Sequence, residues 1–217
     1  MRRETSTVVV LAGDPDEGML AELARSPNVT IARAPAAEAP VAGQPPAASP
    51  GWEPGALAMR EAARRRSTYV IVPDDPLAEV AAGWHAIWDV SGGSSGVSAP
   101  GSSNGGRQRS LTFEAGAAEA LAAWRDKLFD LPDYYLVIAP AETEGAGADL
   151  YLGPLRAVRP RRVAVAGAIG APAEAPHILA ALRSLEHGPW WPPLDEVLEA
   201  ARRFYPGGLA ETQLAAP

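Results

Sequence analysis

The chain contains no cysteine, which excludes disulfides, thiolate nucleophiles, iron–sulfur clusters and cysteine-ligated zinc together and leaves the redox compartment unmarked. Lysine is almost as scarce, Lys127 being the single one. Histidine is confined to His85, His177 and His187 with no HExxH pair. His177 and His187 are separated by the length of a predicted helix, which does not place both on one metal by local geometry. Long hydrophobic runs are missing as well. The run from Val8 to Leu11 is cut by Gly13-Asp14, short of the ~7–15 apolar residues of a signal-peptide core. Nothing approaches the ~20 residues of a membrane-spanning helix, so cytoplasmic residence is the expectation. Cationic excess is lacking too. A net charge of −7 and a pI near 5.0 argue against nucleic acid and against an anionic membrane as partners.

The familiar ligand fingerprints are also absent. There is no GxGxxG and no GxxxxGK[ST], so neither a standard dinucleotide fingerprint nor a P-loop is present. Gly167-Ala168-Ile169-Gly170, between a predicted strand and a helix, suits a tight turn better than a phosphate cradle. Gly93-Ser94-Ser95-Gly96 lies in a Gly/Ser tract without the strand and strained turn that would expose a serine nucleophile.

What the chain does have is a rhythm. A short β-branched run leads into a loop carrying carboxylates and then into an amphipathic stretch, repeatedly. Val8-Val9-Val10-Leu11 precedes Gly13-Asp14-Pro15-Asp16-Glu17, Tyr69-Val70-Ile71-Val72 precedes Asp74-Asp75, and Tyr135-Leu136-Val137-Ile138 precedes Glu142-Thr143-Glu144. Strands are predicted over 7–11, 29–33, 68–72, 134–138 and 162–166. Helices are predicted over 18–25, 55–66, 76–88, 115–129, 149–158, 174–185 and 194–205. In the third helix, Leu77, Val80, Ala81, Trp84, Ile87 and Trp88 form one apolar stripe; in the fourth, Ala117, Leu121, Trp124 and Leu128 do. Residues 34–54 and 91–110 are rich in Ala, Pro, Gly and Ser and poor in large apolar groups, the composition of flexible loops.

Strands alternating with helices predict a three-layer, Rossmann-like or flavodoxin-like α/β domain spanning 1–217. It has an open, mostly parallel sheet of about five strands with helices on both faces, and a C-terminal helical extension over 189–208. Ligands of such sheets bind beyond the carboxyl ends of the strands. Gly13, Asp14, Asp16, Asp74, Asp75, Glu142 and Thr143 are therefore the candidate ligand-binding rim, for a small phosphorylated or nucleotide-type ligand that Mg²⁺ could bridge. Capping competes for the same carboxylates, since Asp16 and Asp75-Pro76 each stand where a helix begins. No catalytic residue and no cofactor is identified from the residues. If the chain is an enzyme, hydrolysis or transfer of a phosphoryl or glycosyl group suits carboxylates without a nucleophilic triad.

Two partial resemblances come with these loops. Acidic residues after the first strand, an Asp after the third and Thr143 after the fourth resemble phospho-accepting receiver domains, which also carry a lysine after the fifth strand, where this chain has Gly167 to Gly170. The Asp14-Pro15-Asp16 spacing resembles the DxD pair of haloacid-dehalogenase-type phosphatases. There the first Asp follows the strand directly and a lysine assists, whereas here Ala12-Gly13 intervenes. Neither family is assigned.

A second function class rests on aromatics. Trp190-Trp191, between Pro189 and Pro192, with Tyr134, Tyr135 and Tyr205, predicts a non-catalytic adaptor that docks a protein partner through its C-terminal segment. Core packing competes for these rings. Arg156, Arg159, Arg161 and Arg162 around a helix-to-strand turn read as a solvated face or a small anion site.

Overall fold

The computed structural model of the chain describes residues 6–13, 15–35, 51–91, 104–138, 148–167 and 173–204. The order of elements is β1 (Thr7–Ala12), α1 (Glu17–Ala24), β2 (Val29–Ile31), α2 (Trp52–Ala62), β3 (Tyr69–Val72), α3 (Ala78–Ser91), α4 (Asn104–Arg125) and β4 (Tyr134–Ile138). A split helix follows: α5 (Ala148–Leu150), a π-helical turn (Tyr151–Leu155) and α6 (Arg156–Val158). The described chain closes with β5 (Val163–Ala166), α7 (Ala175–Arg183) and α8 (Leu194–Arg203).

The five strands form one sheet in the order β2-β3-β1-β4-β5, and every pairing is parallel. Val8 and Val10 of β1 stand level with Val70 and Val72 of β3, and Val10 and Ala12 with Tyr135 and Val137 of β4. Parallel strands need a crossover between them, and right-handed crossovers place helices on opposite faces according to the direction of travel. The chain leaves β1 toward the β2 edge through α1, then travels the other way through α2, α3 and α4.

The core divides accordingly. Val9, Leu11, Ile71 and Leu136 point to the face covered by α1 and α7. Val8, Val10, Val70, Val72 and Tyr135 point to the face covered by α2, α3, α4, the π turn and α8. Both faces are buried, which is why the strands read as continuous apolar runs rather than as alternation. The architecture is thus the α/β, Rossmann-like one anticipated, with the first strand at its centre. Among the described residues no helix is long and apolar enough to cross a membrane.

Several element boundaries move. α2 begins at Trp52 and α4 at Asn104, earlier than their sequences suggest; residues 36–50 and 92–103, most of the two anticipated flexible loops, lie outside the described residues. The buried stripe of α4 is Phe113, Ala117, Ala120 and Ala123, while Leu121 and Trp124 are only half-buried. Close helix approach is the reason. A Cβ at Gly83 of α3 would stand 2.8 Å from the Phe113 Cα, so the two helices meet backbone to backbone and small residues occupy the seam. Phe113 then tilts against Trp84, with ring centroids 5.5 Å apart. The π turn contains Pro154, whose missing N–H cannot join the α-helical ladder. The predicted C-terminal extension is integral to the core: Leu194, Val197, Leu198 and Ala201 belong to the larger cluster.

Candidate functional site

β1 lies between β3 and β4, and the helices that follow β1 and β3 leave on opposite faces. A crevice opens at such a reversal, beyond the carboxyl ends of the strands. The loops after β1 and β3 therefore border one place, and β2 adds the residues just past its end.

Gly13 opens this rim with φ +128°, a backbone region that residues with a Cβ seldom adopt. A Cβ there would also stand 3.2 Å from that of Ile138, so the turn after β1 leans on the end of β4. Asp16 caps α1, its Oδ1 accepting the Met19 N–H at 2.8 Å. Asp74 reaches across to the neighbouring loop, its Oδ2 accepting the Ala34 N–H at 3.2 Å. Asp75 is 8% exposed. Its Oδ1 accepts the Leu77 N–H at 2.8 Å at the start of α3, and its Oδ2 accepts the Tyr151 hydroxyl from the π turn. Burial pushes the Asp75 carboxyl up to about 6, against the opposing pull of both hydrogen bonds. Asp14, Glu142 and Thr143 lie outside the described residues.

Residues that sequence reasoning passed over complete the picture. Arg33, just beyond β2, makes a two-pronged ion pair with Glu17 at 2.9 and 2.8 Å. The Arg33 guanidinium holds the exposed Glu17 carboxyl below its ordinary range. The bond to Glu17 raises the Arg33 pKa, and the charge of Asp74 adds to that effect, so Asp74 and Arg33 share a field at the rim. The signal for Arg33 was its position, immediately past a parallel strand. Beneath the rim, Tyr151 and Tyr135 are fully buried and face each other with centroids 5.1 Å apart. The Tyr135 hydroxyl is the buried side-chain polar atom without a hydrogen-bond partner among the described residues. No local signal marks either tyrosine as polar core, because a strand position and a helix position both read as apolar.

The rim thus divides its carboxylates. Asp16 and Asp75 are occupied as helix caps, while Asp74 has one oxygen uncommitted among the described residues, within the field of the Arg33 guanidinium. Among the described residues no three of His, Cys, Asp and Glu gather as a metal site. His85 Nδ1 is 3.2 Å from Asp149 Oδ2 on α5, and His177 Nδ1 accepts the Glu174 N–H at 3.1 Å in a capping box at the start of α7.

The aromatic segment lies at the opposite edge of the sheet, near the starts of β4 and β5. Its two tryptophans separate. Trp191 is 5% exposed, donates its Nε1–H to the Pro132 carbonyl at 2.8 Å and meets Tyr135 edge-on. Trp190 is 50% exposed, and its ring lies 5.0 Å from the Arg162 guanidinium. Arg162, read from sequence as part of a solvated face, is 8% exposed. It donates to the carbonyls of Asp133, Gly188 and Pro189 at 3.1, 2.6 and 3.1 Å and also covers the Tyr134 ring. Arg159 donates to the Trp190 carbonyl at 2.6 Å, and Arg161 pairs with Glu186 at 3.3 Å. Arg159, Arg161 and Arg162 thus fasten the 186–190 connector; Arg156 and Arg161 are exposed, as a solvated face requires, and the correction concerns Arg162, which is buried against carbonyls of this chain. No family model, curated protein or solved structure matches the chain.

Proposed function

We propose that the chain is a ligand-binding α/β module whose site is the crevice beside β1. The ligand is a small phosphorylated or nucleotide-type molecule whose polar end meets Gly13, Asp16, Arg33 and Asp74. The strand order carries this reading, because β1 between β3 and β4, with α1 and α3 leaving on opposite faces, is the arrangement at which parallel sheets open toward a ligand. Arg33, exchanging its Glu17 partner for the ligand, supplies the positive group for an anion. A magnesium ion would be carried by one or two carboxylates, Asp74 foremost, together with phosphate oxygens of the ligand, the usual way this cation binds. Nucleotides and sugar phosphates are held inside cells by their charge, so the reading carries a cytoplasmic setting with it.

The test is a thermal melt with a panel of nucleotides and sugar phosphates, with and without Mg²⁺, on the wild type and on Asp74→Asn/Arg33→Ala. Asparagine keeps a carbonyl for the Ala34 N–H. A ligand at 100 times its Kd stabilises by about 2.7 kcal/mol, a shift of several degrees in a chain of this size. The expected result is a shift in the wild type that the double variant loses. A flat panel, or a shift the variant retains, would overturn the assignment.

A further inference from the structure

Helix α8 carries its charge in two halves. Leu194, Val197, Leu198 and Ala201 are buried in the core. Of the face left outside, Asp195, Glu196 and Glu199 occupy the first part and Arg202 and Arg203 the last turn. Arg202 is committed within the chain, to Glu114 at 2.8 Å and Glu199 at 3.3 Å. Asp195, Glu196 and Arg203 have no such ion pair among the described residues. Midway stands Ala200, half-buried, where a second helix could approach closely. Alongside α8 runs an open groove floored by Leu121, Val158 and Pro192 and edged by Arg125.

The exposed large apolar side chains among the described residues are Trp190, at 50%, and Phe204, at 46%. Phe204 caps the end of α8, a ten-residue helix about 15 Å long, whereas Trp190 belongs to the connector before it. Charge segregated end to end is self-complementary under a two-fold axis. In an antiparallel pair of α8 helices centred beside Ala200, Glu196 of one copy faces Arg203 of the other, Phe204 reaches the first turn of the partner helix, and the helix dipoles oppose favourably.

We infer that α8 and its groove form a homodimer contact in which two copies pack α8 antiparallel about a two-fold axis beside Ala200, with Glu196–Arg203 pairs on either side of the axis and Phe204 against the partner's first turn. This contact uses none of the crevice residues and does not depend on the ligand assigned there. Aromatic and arginine anchors of this kind dominate interface energetics, and like charges brought together across such a contact are strongly disfavoured.

The experiment is sedimentation equilibrium of the full chain over a concentration series reaching about 1 mM, the weak end of measurable association. It covers the wild type, Glu196→Arg, Arg203→Glu and an equimolar mixture of the two variants. Circular dichroism checks that each variant is folded, both positions being exposed. The wild type is expected to dimerise, and each reversal alone to weaken dimerisation by about tenfold or more. The mixture should restore it, because in a mixed pair the arginine introduced in one variant meets the glutamate introduced in the other, while the native Glu196 and Arg203 still face each other. Phe204→Ala should weaken it as well. A monomeric wild type would overturn the inference. So would a dimer that neither reversal weakens, or single variants whose mixture does not recover.

Discussion

At the amino edge of the sheet, side-chain donors meet backbone carbonyls: Arg162 holds three, Trp191 holds that of Pro132 and Arg159 that of Trp190. At the carboxyl edge the traffic reverses, and the carboxylates of Asp16, Asp74 and Asp75 accept the N–H groups of Met19, Ala34 and Leu77. The acidic half of that difference follows from having every strand parallel. Each crossover helix then starts at the carboxyl edge, where its first N–H groups lack partners and Asp16 and Asp75 supply them; the carbonyls held at the amino edge belong instead to the loop before β4 and to the 186–190 connector. Acids therefore collect at the carboxyl edge before any ligand is considered. An acidic rim in a parallel sheet is therefore weak evidence of chemistry by itself. The informative members are those that capping does not consume, here Asp74 in the field of Arg33 and the buried Asp75–Tyr151 pair.

If the amino edge is a fastening, breaking it should have the largest effect. Arg162→Met keeps the aliphatic bulk but leaves three carbonyls without their donor and two rings without the guanidinium. It should destabilise the chain by about 3 kcal/mol or more in urea unfolding. A change below about 1 kcal/mol would mean that water replaces the guanidinium freely and that the edge is not fastened as described.

Asp75 tests the carboxyl edge through pH. An ordinary aspartate titrates near 3.9, and in the fold this carboxyl titrates at about 6. The folded state thus binds the proton more tightly than the unfolded one. The stability it contributes is complete below about pH 4, falls as pH rises to about 6 and is flat beyond, a loss of about 3 kcal/mol. Asp75→Asn keeps an acceptor for the Leu77 N–H without the buried charge. It should match the wild type near pH 4 and exceed it by about 1–3 kcal/mol at pH 7.5. Parallel stability curves for the two proteins across that range would show that the carboxylate is solvated in the folded chain.

Tyr135→Phe is the smallest change and runs in the opposite direction to most core substitutions. It removes a buried hydroxyl that lacks a partner among the described residues and preserves the ring packed against Tyr151 and Trp191. A gain of about 1 kcal/mol is expected by denaturant titration, and a loss of that size would reveal a partner for the hydroxyl in solution.

The amino-acid sequence by itself determined the local and the periodic. The β-branched runs from Val8, Tyr69 and Tyr135 made strands, the Leu77 to Ile87 stripe made a core-facing helix, and Asp16 and Asp75 made caps, because each depends on contacts within a few residues. A mostly parallel sheet followed from alternation and crossover handedness; that every pairing is parallel was shown by the structure. Only the tertiary structure decided which loops are neighbours. Arg33 meets Glu17, and Asp74 meets the Ala34 N–H, because β1 and β2 both flank β3, a fact of strand order that no local pattern carries. The separation of Trp190 from Trp191 and the burial of Arg162 were settled by what lies opposite them, the Pro132 carbonyl and the 186–190 connector. Tyr135 and Tyr151, apolar in pattern, became the surroundings of a buried carboxylate through contacts between residues distant in the chain. Partners of that kind are fixed by packing, and the same residue types at the same spacing would be solvated in another strand order.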